Sequence, residues 1–133
     1  MGLRIELYVL CFSVVLGLVQ IVLAAHAASL QRGYRWAASA RDAPMPPLTG
    51  VAGRLARALA NFLETFPLFL ALVVVIHATG SYGSLSKWAA ILYLAGRIAY
   101  LPLYAFGVYL ARSLAWNVAT AGILLLLVAA LVH

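Results

Sequence analysis

Acidic side chains, cysteine and charge in general are scarce in this chain: 133 residues hold three Asp and Glu, nine Lys and Arg and one Cys. With 9% charged and 66% hydrophobic residues, it lies far outside the roughly 45–50% apolar usage of a soluble domain, so soluble enzymes and solvated binding modules are excluded. The single Cys11 excludes an intramolecular disulfide and, alone in an apolar run, reads as a small buried hydrophobe. His26, His77 and His133 have no metal-ligand spacing; each reads as an interfacial or solvated polar residue, and no metal is expected. No stretch interleaves basic and aromatic residues as a nucleic-acid platform does, so no nucleic-acid partner is expected.

Long apolar runs dominate what is present. Four approach or exceed the roughly 20 residues that cross a bilayer: about Leu7 to Ala28, Ala56 to Ala78, Trp88 to Ala111 and Ser113 to Val132. The first is too long and too rich in polar interruptions for a typical cleaved signal peptide and reads as a retained span. Backbone polar groups in hydrocarbon must be satisfied internally, so the expected fold is an all-α, up-and-down bundle of four transmembrane helices in a single domain over 1–133.

Between the first two spans, a connector of about residues 29–53 holds Gly33, Pro44, Pro46, Pro47 and Gly50, which oppose a continuous helix. A short amphipathic helix is expected from Leu30 to Ala40. Arg32, Arg35, Arg41 and the adjoining Arg54 stand against Asp42 alone, and the short third link carries Arg112. The positive-inside rule then puts the first and third connectors in the cytoplasm and both termini on the other side. An Ala-, Leu- and Arg-rich composition suits a bacterial inner membrane. Trp88, Tyr93 and Tyr109 read as interfacial anchors, and Pro67 and Pro102 are expected to kink the second and third spans.

Against this background the second span is unusual. Arg54, Arg57, Asn61 and Glu64 fall within an arc of roughly 80° on one helix face, and Glu64 lies about 15 Å along the helix from Arg54. Ionisable groups at that depth are costly, which makes a functional polar site the default reading. Arg97, Tyr100 and Tyr104, spaced by three and four residues, share a face of the third span. Since the two spans run antiparallel, Glu64 is expected to meet Arg97 or Tyr100 near mid-membrane, with Arg57 and Asn61 nearer Tyr104 and the mouth. Such a pocket suits a small anionic or zwitterionic molecule beside an apolar one. The alternative from the residues alone is a structural Glu64–Arg97 ion pair, with Arg54 and Arg57 reaching for lipid phosphates. A thin four-helix protomer with this much polarity is also expected to form a symmetric oligomer.

Arg54-xx-Arg57-Ala-xx-Asn61-xx-Glu64-xx-Pro67, followed by Gly96-Arg97-xx-Tyr100-xxx-Tyr104 and Arg112-Ser113-xx-Trp116, resembles the MAPEG family, the membrane-associated proteins in eicosanoid and glutathione metabolism. The resemblance covers nearly the whole chain. It implies a homotrimer with glutathione as co-substrate between neighbouring subunits, and conjugation of lipophilic electrophiles, reduction of lipid hydroperoxides or isomerisation of an endoperoxide. Carried over to matching positions, Arg57, Asn61 and Glu64 hold the charged ends of glutathione, Tyr104 lines the site, Arg97 organises its polar interior, and Arg112 with Ser113 faces the thiol as the catalytic pair; Tyr100, on the face of Arg97 and Tyr104, is counted with the residues expected to bind glutathione. Prostaglandin E synthase-like members have Arg where this chain has Ala60, His where it has Tyr100 and Tyr where it has Trp116, and their interval corresponding to Arg97–Arg112 is one residue longer.

The leading expectation is therefore a glutathione-dependent transferase or peroxidase acting on lipophilic electrophiles or hydroperoxides, with itself, membrane lipids and a lipophilic small molecule as partners. The alternative is a non-enzymatic protein on the same scaffold that binds lipids or small molecules. A transporter is less favoured, because the chain lacks the paired, interrupted halves of many secondary transporters.

Overall fold

A computed structural model describes residues 2–132, which leaves His133 outside the described residues. Five helices follow one another: α1 (Ile5–Arg32), α2 (Tyr34–Ala38), α3 (Gly50–Thr79), α4 (Ser84–Ala105) and α5 (Tyr109–Leu131). All but α2 are long and apolar enough to cross a membrane, and they alternate in direction as an up-and-down bundle. The helices differ from the expected spans chiefly at their ends. α1 continues to Arg32 and α3 begins at Gly50, because backbone hydrogen bonding does not stop where hydropathy falls.

The connector also differs from expectation. Gly33, at φ 92°, separates the end of α1 from α2, so Leu30 to Arg32 belong to the long helix and the interfacial helix shrinks to Tyr34–Ala38. Gln31 then ties the connector back: its Nε2 donates to Thr49 Oγ1 at 2.9 Å, while Thr49 N–H donates to Gln31 Oε1 at 3.0 Å.

The link between α4 and α5 lies earlier than the charge pattern suggests. Gly107, at φ 74°, closes α4. Its N–H donates to Tyr104 O at 3.0 Å and the Val108 N–H to Leu103 O at 2.9 Å, the paired bonds of a Schellman cap. Gly80 caps α3 in the same way, with Ser81 N–H donating to Ile76 O at 3.0 Å. The expected third span to Ala111 thus overruns α4, which ends at Ala105, and Arg112 stands inside α5 rather than in a link, with Ser113 next to it in the same helix.

α4 and α5 pack as a close antiparallel pair. A Cβ at Gly96 would stand 2.7 Å from Ala119 N and 2.9 Å from Ala115 O, and one at Gly122 would stand 2.7 Å from Tyr93 N. Lipid offers no hydrophobic drive for helix association, so small residues that let backbones approach supply van der Waals contact instead. Beside this seam, Phe69 of α3 stacks on Tyr93 of α4 with centroids 4.1 Å apart, within a core that includes Val9, Val73, Ile76 and Leu126. Tyr93 is fully buried and is therefore a core residue, not the interfacial anchor its phenol suggested. Cys11 moves the other way: it lies exposed on the outer face of α1, because the buried stripe of that helix runs through Val9, Ser13, Gly17 and Gln20. Pro67 and Pro102 both lie inside their helices.

Candidate functional site

The face of α3 that carries the polar arc is determined by its apolar residues. Ala58, Phe62, Phe69, Val73 and Ile76 are buried and centre on one direction of the helix. At about 100° per residue, Asn61 lies roughly 80° from that direction, Arg57 roughly 120° and Glu64 roughly 140°. Asn61 is accordingly half-buried, while Arg57 and Glu64 are exposed on the outside of the protomer. The arc grades from the bundle interior to its surface.

Arg97 is the buried cation of the bundle, 1% exposed. Its Nη1 donates to Asn61 Oδ1 at 2.7 Å, and its guanidinium lies 4.3 Å from the Tyr100 ring centroid and 5.6 Å from that of Phe62. Its Nε and Nη2 have no hydrogen-bond acceptor among the described residues. The expected meeting of Arg97 with Glu64 therefore does not occur within the protomer: the amide of Asn61 and two ring faces hold the guanidinium instead. The sequence spacing brought both groups to similar depth but did not resolve the 60° between Asn61 and Glu64 around α3, which separates inside from outside.

Nearer the connector, three arginines gather around the end of α4. Arg54 Nε donates to the free Ala105 carbonyl at 2.8 Å, a cation at a helix C-terminus. Arg57 Nε donates to the Tyr104 hydroxyl at 3.0 Å. The Arg112 guanidinium, brought over by the first turns of α5, lies 4.8 Å from the Tyr104 ring centroid. Tyr104 packs edge-on against Tyr100, with centroids 5.5 Å apart. Because α4 ends at Ala105, Tyr104 sits in the last turn of that helix, at the mouth.

Asn61, Tyr100, Arg112, Ser113, Trp116 and Asn117 line a cleft of about 300 Å³. Six sequence candidates, Arg57, Asn61, Tyr100, Tyr104, Arg112 and Ser113, thus converge on this cleft or its mouth, Arg97 backs it through Asn61 and Tyr100, and Glu64 stands outside. Ser113 donates to Tyr109 O at 3.0 Å, one turn back along its own helix. Asn117 was not singled out by the sequence, although its position one turn after Ser113 on the same helix face was available as a signal; its Nδ2 donates to Ser113 O at 2.8 Å.

The model of the MAPEG family matches residues 9–132. The chain belongs to the MAPEG family. No curated protein matches it closely enough to be named beside it. MAPEG membership accounts for the four-helix membrane fold and is consistent with handling of lipophilic molecules at a membrane; glutathione is a frequent ligand of MAPEG proteins.

Proposed function

We propose that this MAPEG protein is a glutathione-dependent transferase or peroxidase for lipophilic electrophiles or hydroperoxides, working as a homotrimer with its site at the subunit boundary. The observation that carries this reading is the arginine cluster on Tyr104 at the mouth of a cleft holding Asn61, Ser113 and Arg112. Cations concentrated with amide and hydroxyl donors in a partly desolvated cleft select an anion.

The residues present fit glutathione. Its two carboxylates match Arg57 and Arg54, its ammonium matches Glu64, and its thiol matches the Arg112–Ser113 corner. Two features favour a site shared between subunits. Exposed Arg57 and Glu64 on a membrane helix need cover that the protomer does not give them. A cleft of about 300 Å³ is also at the small end of ligand sites and leaves a tripeptide in want of another wall.

A thiol with a pKa of about 8.5 is mostly protonated at neutral pH, and an adjacent guanidinium lowers that value by favouring the thiolate. Arg112 supplies this charge, and the Ser113 hydroxyl, released from its helix carbonyl, donates to the same sulfur. When bound, glutathione supplies the nucleophile: its sulfur bonds to the electrophilic carbon as the leaving group departs, or attacks the terminal oxygen of a hydroperoxide, whose other oxygen leaves as the alcohol with the thiol's proton, a second glutathione completing the reduction as disulfide and water form. Arg97 fixes Asn61, and Trp116 offers an apolar wall beside the sulfur for the second substrate. The arginines of the connector support, by the positive-inside rule, a site opening to the cytoplasm, and the composition suits a bacterial inner membrane.

Turnover of an aryl halide with glutathione tests the reading. Arg112→Ala is expected to lower the rate about 100-fold, the scale of losing one charge-stabilising donor, with trimer yield little changed. An unchanged rate removes Arg112 from thiol activation. No turnover in the parent protein across electrophiles and hydroperoxides, with saturable glutathione binding intact, favours the binding-protein alternative.

A further inference from the structure

A second polar cavity, of about 270 Å³, lies at the opposite end of the bundle, where the first turns of α1 and α4 meet and Arg4, Glu6, Tyr82, Ser84 and Lys87 line it. Glu6 forms its floor. This carboxylate is 3% exposed and accepts a hydrogen bond from Ser86 Oγ, while Ser86 also caps α4 by accepting the Gly83 N–H at 2.9 Å. One neutral hydroxyl is a small return for a buried carboxylate, which is retained at such depth where a cation meets it.

The cations of the cavity stand at its rim instead. The Arg4 guanidinium lies over the Tyr82 ring at 5.1 Å, and the Lys87 ammonium lies over the Trp88 ring at 5.1 Å. Tyr82 is held from its far end by His77, whose Nδ1 is 2.7 Å from the phenol oxygen. Positive rim and negative floor make a dipolar cavity, which orders a zwitterion with its anion outward and its cation inward. Ile5, Leu85 and Trp88 beside it are exposed, giving the ligand's apolar body a surface at the level where the bilayer begins.

We infer that this cavity binds the headgroup of a phospholipid bearing a primary amine, its phosphate between Arg4 and Lys87 and its ammonium on Glu6. A primary ammonium can both reach a carboxylate this buried and donate N–H bonds to it; a trimethylated ammonium is too bulky and has no N–H to give. An added headgroup carboxylate would face Glu6 and be disfavoured. The site is separate from the arginine cleft and does not rest on the proposed chemistry there.

Native mass spectrometry of the full protein, released from nanodiscs with equal phosphatidylethanolamine, phosphatidylcholine and phosphatidylglycerol, tests this. Phosphatidylethanolamine is expected to be retained about tenfold over the other two, the scale of one charge-assisted bond. Glu6→Gln should erase the preference over phosphatidylcholine, whereas Lys87→Ala should weaken retention of both. Lys87→Ala leaves the Glu6–Ser86 bond in place, so it decides the matter should Glu6→Gln fail to fold. Equal retention of the three lipids by the parent protein, a preference that survives Glu6→Gln, or retention unchanged by Lys87→Ala overturns the proposal. Displacement by free phosphoethanolamine at equal concentration overturns its assignment to a lipid.

Discussion

Two faces of the bundle meet the membrane problem in opposite ways. The α4–α5 seam is closed within the protomer: Gly96 and Gly122 admit the opposing backbone so closely that no Cβ fits. The outer face of α3 is left open, with Arg57 and Glu64 exposed in a helix that must cross hydrocarbon. The first face spends its small residues on cohesion, and the second keeps its polar residues for something outside the protomer. Fold and function are thereby separated along the chain, and substitutions on the two faces should fail differently.

The largest effect is expected at the seam. Gly96→Leu places a branched side chain against the Ala115 carbonyl and Ala119 N–H, and should cost at least about 3 kcal/mol, the upper range for overpacking. The yield and melting temperature of folded protein in detergent check it; near-normal melting would show that the helices can part without loss. On the open face, Glu64→Gln should weaken glutathione binding about tenfold, as loss of one ionic hydrogen bond does, while leaving melting almost unmoved. A large melting shift with unchanged binding would make Glu64 an assembly residue. Tyr104→Phe is expected to be mildest. It removes the hydroxyl that orients Arg57 but keeps the ring under Arg112, so affinity should fall about threefold, the value of an ordinary hydrogen bond.

The span count, the antiparallel order and the polar faces were legible because each depends on composition or on a periodicity that the helix imposes. Arg57, Asn61 and Tyr104 could be brought towards one region by spacing alone, whereas Arg112 joined them only through the family resemblance. The ends of helices were less legible. Phe106-Gly107-Val108 is apolar and reads as more span, yet a glycine with positive φ turns the chain there and leaves Tyr104 in the last turn of α4. The partner of Arg97 was hidden for a related reason. Depth along a helix follows from counting, whereas which of Asn61 and Glu64 faces inward depends on how α3 rotates to bury Phe62, Phe69 and Val73. Glu6 gave one weak sign, a lone carboxylate in the first turn of an apolar helix, and its joining to Ser86 depends on a contact 80 residues away.

Calorimetry of glutathione binding to the purified, detergent-solubilised protein, with Arg57→Ala beside it, tests the central claim most directly. Saturable binding that is lost in the variant is the predicted result. No heat of binding at millimolar glutathione, or equal binding by both proteins, would contradict the account and leave the arginine cleft to a different ligand.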